Sequence, residues 1–231
     1  MCGRFAQTRD SKRYVERFGP DWLDPAFVHV PPRFNIAPTQ DAQVMRMDPR
    51  TGRGALGPLR WGLVPRWASD PAFGGRTINA RSESVAETPA FRDAWAAKRR
   101  CAVPVDAYYE WKAGPSPRQP YAIAARDRAP LALAGLWDGW KDPATGEWLR
   151  SFTLLTCPAN PAMGTLHDRM PVILSPEAVR PWLAGETGAE MLVPFAGEAL
   201  DLWPVSPRIN RPANDDAELL APALPAAATL F

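Results

Sequence analysis

The sequence predicts an α+β fold: a mixed, barrel-like β core of many short strands with a few short flanking helices. Three observations carry this expectation. Proline accounts for 27 of 231 residues, about 12% against a usual ~5%, and its spread along the whole chain disfavours long helices. Short apolar or alternating segments recur between turn signals such as Gly114-Pro115-Ser116-Pro117 and Asp142-Pro143-Ala144-Thr145-Gly146. Few stretches begin like helices, and each of them is brief.

Taken in order, the first element is a helix over 11–18, where Tyr14 and Phe18 stand one turn apart and Gly19-Pro20 ends it. Pro31-Pro32 and Pro38 then bracket an extended Phe34-Asn35-Ile36. Residues 43–47 alternate as a strand, 51–54 turn, and 59–64 return as a second strand. Thr88-Pro89 reads as an N-cap followed by proline at the first helical position. That predicts a helix over 88–99 with Phe91 and Trp95 on one face. Strands are expected over 101–105, 107–112, 121–125, 131–137, 148–156 and 172–174. Ser175-Pro176-Glu177 opens a helix to 183, and 200–204 forms a last strand. Residues 206–231 are a Pro/Ala-rich acidic tail, expected to be partly disordered. With no internal repeat and no clear linker, one domain over 1–231 is expected, its core spanning about 2–205.

The hydrophobic set makes up 46% and charged residues 23%, which suits a globular chain with a sizeable core. No apolar run reaches the roughly 18 residues of a membrane span, and the start lacks a signal-peptide pattern, so a cytoplasmic protein is expected. The three cysteines, Cys2, Cys101 and Cys157, form no CxxC pair, which argues against a disulfide framework or a zinc site. Phosphate-loop, dinucleotide, zincin and nucleophile-elbow motifs are absent. Neither metal nor cofactor is expected. Residues 50–112 carry eleven Lys/Arg against six Asp/Glu, whereas 177–231 carry three against eight. A basic middle can follow a phosphate backbone, although chance clustering on a solvated surface gives the same count.

Cys2 is the residue with the most distinctive chemistry. Removal of Met1 before a small second residue would leave a 1,2-aminothiol. Its α-amine, with a pKa of about 7.7–8.0, is substantially neutral near pH 7. Such an amine attacks an aldehyde, and the neighbouring thiol closes the imine to a five-membered thiazolidine with a large effective molarity. A cysteine at position 2 can also be incidental. Among the two histidines, His167 is the better acid–base candidate, because His29 lies in an alternating Phe-Val-His-Val segment.

The wider pattern gives Cys2 a context. Met1-Cys2-Gly3-Arg4-Phe5 is followed by Phe34-Asn35-Ile36-Ala37-Pro38-Thr39 and Arg60-Trp61-Gly62-Leu63-Val64-Pro65-Arg66-Trp67. Ile78-Asn79-Ala80-Arg81-Ser82-Glu83, Pro104-Val105-Asp106-Ala107-Tyr108-Tyr109-Glu110-Trp111 and His167-Asp168-Arg169-Met170-Pro171 come next. These motifs in this order resemble the SOS-response-associated peptidase family, whose members shield abasic sites by DNA–protein crosslinking. The likeness covers about residues 2–205. It implies a fold of that family's type, with Cys2 forming a thiazolidine on the ring-opened sugar. It further implies that Asn79 holds the Cys2 amine or the sugar, that Glu110 acts as acid/base, and that His167 helps to open the deoxyribose ring. Arg4, Arg81 and Arg169 would grip phosphates, Trp67 and Trp111 would stack on bases, and Asn35 and Pro38 would belong to the DNA-binding surface. The partner so implied is single-stranded DNA containing abasic sites, including 3′ junctions, bound by a monomer that joins the nucleoid when DNA is damaged. Lyase-like crosslinking, its reversal and autoproteolysis before Cys2 are the activities implied.

Other readings of single residues stay open at this stage. Glu110 could pair with an arginine, Asn79 could cap a turn after Gly74-Gly75, and Trp111 should point away from Glu110 on a regular strand. Trp95, Trp137 and Trp182 look like core, and Trp61 fits core equally well. Two other functional classes compete with the first: an N-terminal-nucleophile cysteine amidohydrolase, and a non-catalytic single-stranded nucleic-acid-binding module.

Overall fold

A computed structural model describes residues 2–19, 30–48, 51–114 and 116–223; His29 and the end of the tail lie outside these. Two of the three longest strands are β9 (Leu131–Lys141) and β10 (Trp148–Pro158), which pair as an antiparallel hairpin from Trp148↔Lys141 to Leu154↔Gly135. Around them a ring closes. β9 pairs with β6 (Arg100–Val105), β6 with β3 (Asp41–Met47), β3 with β4 (Gly54–Trp61), and β4 returns, parallel, to β10. This five-stranded closed barrel is the expected α+β, barrel-like core. Closure satisfies the backbone hydrogen bonds that an open sheet would leave along its edges.

Extra strands decorate the ring. β5 (Asn79–Arg81) runs parallel to β10, β11 (Arg169–Pro171) pairs with the end of β10, and β12 (Ile173–Leu174) pairs with β9. A second, five-stranded sheet has the order β13 (Leu200–Pro204), β8 (Pro120–Ala125), β7 (Ala107–Trp111), β1 (Arg4–Gln7), β2 (Arg33–Ile36). Alternation along its strands gives each face a separate core. Phe5, Tyr108 and Ile123 join the main cluster, with Phe5 4.7 Å from the ring of buried Trp61. Ala6, Tyr109 and Ala122 face the other way, onto Val205, Ile209 and Leu219.

Helices are short, as the proline content requires. α1 (Ser11–Phe18) matches its expected bounds, with Asp10 accepting from the Lys12 N–H as its cap. α4 (Pro176–Ala184) also follows expectation and ends on Gly185 in the left-handed region. α3 (Pro161–Gly164) was not anticipated. The helix expected over 88–99 shrinks to α2 (Arg92–Ala96). Thr88 does not cap it: its backbone N–H and its hydroxyl both donate back to the Ser84 carbonyl, so 84–91 is a run of turns.

The tail needs a further correction. Residues 206–223 are not a disordered appendage but pack on the outer face of the second sheet, where Ile209 and Leu219 are fully buried. Asp215 accepts from the Phe34 and Asn35 N–H groups and pairs with the Arg33 guanidinium, which ties the tail to β2. Three polar contacts at one carboxylate hold residues that the Pro/Ala-rich acidic composition marked as partly disordered.

Candidate functional site

Cys2 lies just before β1, and the antiparallel register Arg4↔Tyr109 carries it alongside the end of β7, where Glu110 stands. Both are interior: Cys2 is 0% and Glu110 3% exposed. Burial, reinforced by the nearby Glu110 charge, pushes the Cys2 thiol up to about 12. The group is therefore a thiol at neutral pH, and any reaction at sulfur needs a proton acceptor. Glu110 Oε1 accepts from the Trp111 N–H at 3.2 Å. Burial, reinforced by the nearby Glu110 charge, pushes the Tyr108 phenol well up, and its hydroxyl meets Met163 Sδ at 3.3 Å. Tyr108 belongs to this neighbourhood, although only its place in a motif pointed there.

Asn79 closes the site from the barrel side. Its Nδ2 donates to the Cys2 carbonyl at 2.8 Å, across 77 residues of sequence. β5 holds Asn79 in register opposite Leu154 of β10. The chain enters β5 from the 62–76 loop, whose shape depends on two glycines. Gly62 sits at φ 117°, and a Cβ there would lie 2.3 Å from the Gly74 carbonyl oxygen. Only glycine permits both the angle and the approach. This loop also presents Trp67, 54% exposed, edge-on to Phe73 with ring centroids 5.0 Å apart.

His167 reaches the same region through the Ala113 N–H, which donates to the Leu166 carbonyl at 3.0 Å and ties the chain after β7 to the residue before the histidine. Its Nδ1 has two neighbours that suit different states. The Arg169 N–H, at 3.0 Å, suits a bare Nδ1; the exposed Asp168 carboxylate, at 2.7 Å, suits a protonated one. Both contacts hold the ring through Nδ1.

The remaining expected residues divide. Arg4 is half-buried, with its Nη1 on the Gly3 carbonyl at 3.0 Å, and burial lowers its pKa. Arg81 is exposed at the end of β5, opposite Thr156. Pro38 is half-buried in the turn between β2 and β3, where Thr39 adopts a left-handed φ of 70° and donates to the Trp61 carbonyl at 2.8 Å. Trp111 does face away from Glu110, as a regular strand requires. It packs with the second cluster and donates from Nε1 to Asn210 Oδ1 at 2.8 Å.

One expectation is corrected, and a second residue is already paired. Asn35 offers nothing to DNA, because it is fully buried and its Nδ2 donates to the carbonyls of Ile209, Arg211 and Asn214 at 3.2, 3.0 and 2.9 Å. It fastens the tail to β2. Arg169 is not an open phosphate grip either: Nη1 and Nη2 engage both oxygens of Glu83, and Nη2 also donates to the Thr156 carbonyl at 2.7 Å. Glu83, which no sequence argument singled out, is held down to about 2 by that arginine.

A closed barrel flanked by a second sheet, with a buried cysteine thiol, an amide and a carboxylate converging at the sheet's start, defines a thiol-bearing site of unusual type. The profile of the family described as SOS response associated peptidase (SRAP) matches residues 1–212, and the chain belongs to that family. Among its relatives is "Abasic site processing protein YoqW" of Bacillus subtilis, 36% identical over 226 residues that cover 95% of this chain and 99% of the relative. "Abasic site processing protein YedK" of Escherichia coli is 31% identical, covering 96% of this chain and all of the relative. "Abasic site processing protein HMCES" of Xenopus tropicalis is 31% identical, covering 96% of this chain and 78% of the relative. Among solved structures, a protein of Bacteroides thetaiotaomicron shares the fold with a TM-score of 0.84 at 23% identity, covering 96% of this chain and all of the other. One from Bordetella bronchiseptica gives a TM-score of 0.75 at 29% identity, covering 89% of this chain and all of the other.

Proposed function

We propose that this protein acts on abasic sites in DNA: it binds the single strand as a monomer, 3′ junctions included, and captures the sugar covalently through Cys2 after Met1 is removed. The observation that carries this reading is the hydrogen bond from Asn79 Nδ2 to the Cys2 carbonyl beside the buried Glu110 carboxylate. It holds the backbone of the one residue that can offer an aldehyde both an amine and a thiol. The names of the relatives supply the substrate class.

The chemistry follows from the groups present. An abasic deoxyribose is mostly a closed hemiacetal. Glu110 takes the proton of the anomeric hydroxyl while protonated His167 gives its Nε2 proton to the ring oxygen, and the bond from C1′ to that oxygen breaks. The neutral imidazole keeps its Nδ1 proton and donates it in a hydrogen bond to the Asp168 carboxylate. The Cys2 α-amine adds to the aldehyde, and the carbinolamine hydroxyl leaves as water with the proton that Glu110 had taken, which gives an iminium and restores the Glu110 carboxylate. The thiol attacks the iminium carbon, its proton passes to carboxylate, and the nitrogen recovers its lone pair in a thiazolidine. Net, one water is released per crosslink. Reversal returns that water to C1′. Hydrolysis of the Met1–Cys2 bond by the same residues would account for the word peptidase in the family's description. Clean loss of Met1 from a Cys2→Ala chain would assign that step to a separate aminopeptidase.

A labelled single strand with one abasic site, heated and run on a denaturing gel, tests the proposal. The native protein should give a heat-stable adduct and Cys2→Ala none. A heat-stable adduct with Cys2→Ala overturns it. Hydrolysis of small amides without DNA affinity would instead favour an amidohydrolase.

A further inference from the structure

Arg169 and Glu83 stand 86 residues apart in sequence and meet in a fork-on-fork pair, Nη1 to Oε1 and Nη2 to Oε2, the latter at 2.9 Å. This is the planar, bidentate geometry in which a guanidinium also takes two oxygens of a phosphate. The arginine side chain is 11% exposed, whereas Glu83 is 51% exposed and so lies on its solvent side. Behind the pair the guanidinium is braced by the Thr156 carbonyl, and the Ser82 N–H donates to that same carbonyl at 2.8 Å. Arg169 Nε is buried with no hydrogen-bond partner. The arginine is thus fixed from behind and capped in front by one carboxylate. Arg81, exposed on the same short segment as Glu83, adds a second cation next to the cap.

We propose that Glu83 is an affinity-determining residue that occupies the phosphate place on Arg169 in the DNA-free protein and is displaced when a strand binds. The idea rests on the reading of the protein as a single-stranded DNA binder. A preformed arginine keeps its orientation without paying the desolvation of an unpaired buried cation. The cost is competition: each binding event must break the pair before phosphate takes its place. Strong anions that match the fork replace the carboxylate; weakly bound anions do not.

Glu83→Gln removes the charge and keeps the shape, and its half-exposed position leaves the barrel core untouched. Binding to an undamaged single-stranded oligonucleotide is measured by fluorescence anisotropy over a series of salt concentrations. Glu83→Gln should bind about tenfold more tightly at low salt. Its plot of log affinity against log salt should keep the native slope, because Arg169 neutralises the same phosphate in both complexes. Glu83→Asp should restore native behaviour in part. A Glu83→Gln protein that melts as the native one does, yet binds no more tightly, overturns the proposal and leaves the pair a structural pin. Weaker binding overturns it equally. If instead the native protein binds no single strand at all, the functional reading fails, which is a separate outcome.

Discussion

Asn79→Ala tests the arrangement around Cys2 with a calculable effect. The substitution deletes the 2.8 Å hydrogen bond to the Cys2 carbonyl and leaves the β5–β10 backbone pairing in place. A partly buried neutral hydrogen bond contributes about 1 kcal/mol. If that bond holds Cys2 in its reactive position, its loss slows crosslinking about fivefold. Asn79→Asp should cost more than about tenfold, because a carboxylate then faces a carbonyl oxygen and the donor is gone. The assay is a time course of adduct formation on an abasic single strand at saturating protein, with affinity for the undamaged strand measured alongside. The expected result is a reduced rate constant with nearly unchanged affinity. An Asn79→Ala protein that crosslinks at the native rate would remove this contact from the mechanism, and a pure loss of affinity would place Asn79 on the DNA surface instead.

Three further outcomes follow from particular contacts. Asn35→Ala removes the donor to three tail carbonyls, of which that of Ile209 is buried, and should lower stability by about 1–3 kcal/mol, read as a shifted urea midpoint at constant m-value; a shift below about 0.5 kcal/mol would contradict the anchoring role. Trp67→Ala should weaken binding to an undamaged single strand by about 1–3 kcal/mol if one base stacks there, and unchanged affinity would take Trp67 off the interface. Glu83 has its pKa lowered from 4.5 to about 2 by Arg169, so its contribution is present above pH 4.5 and is lost as pH falls toward about 2. Native stability should therefore fall more steeply than that of Glu83→Gln across this window, by a small amount because Glu83 is half-exposed; parallel curves would show that the pair adds nothing.

Much of the strand layout was legible because each strand announces itself locally. The runs later seen as β6 to β10 are apolar or alternating and end at Gly, Pro or Asp turns, so pattern alone located them. Local signals failed where a distant partner decided the outcome. Thr88-Pro89 has the chemistry of a helix start, yet the Ser84 carbonyl captures the threonine. The tail reads as disordered by composition, yet Asp215 and Asn35 stitch it to β2. In the site, Cys2, Asn79, Glu110 and His167 were found through the order of their motifs, and spacing could not have joined residues 77 apart. The opposite facing of Trp111 and Glu110 came from strand period alone. Glu83 stayed invisible because its meaning lies in its pairing with Arg169, and a sequence shows which charges exist but not which meet.

The intact mass of the purified protein, before and after incubation with an abasic single strand, bears most directly on the role of Cys2. The expected masses are those of a chain lacking Met1 and, after incubation, of a single species equal to that chain plus the oligonucleotide less one water. An adduct on protein that retains Met1, or an adduct of that mass with Cys2→Ala, would contradict it.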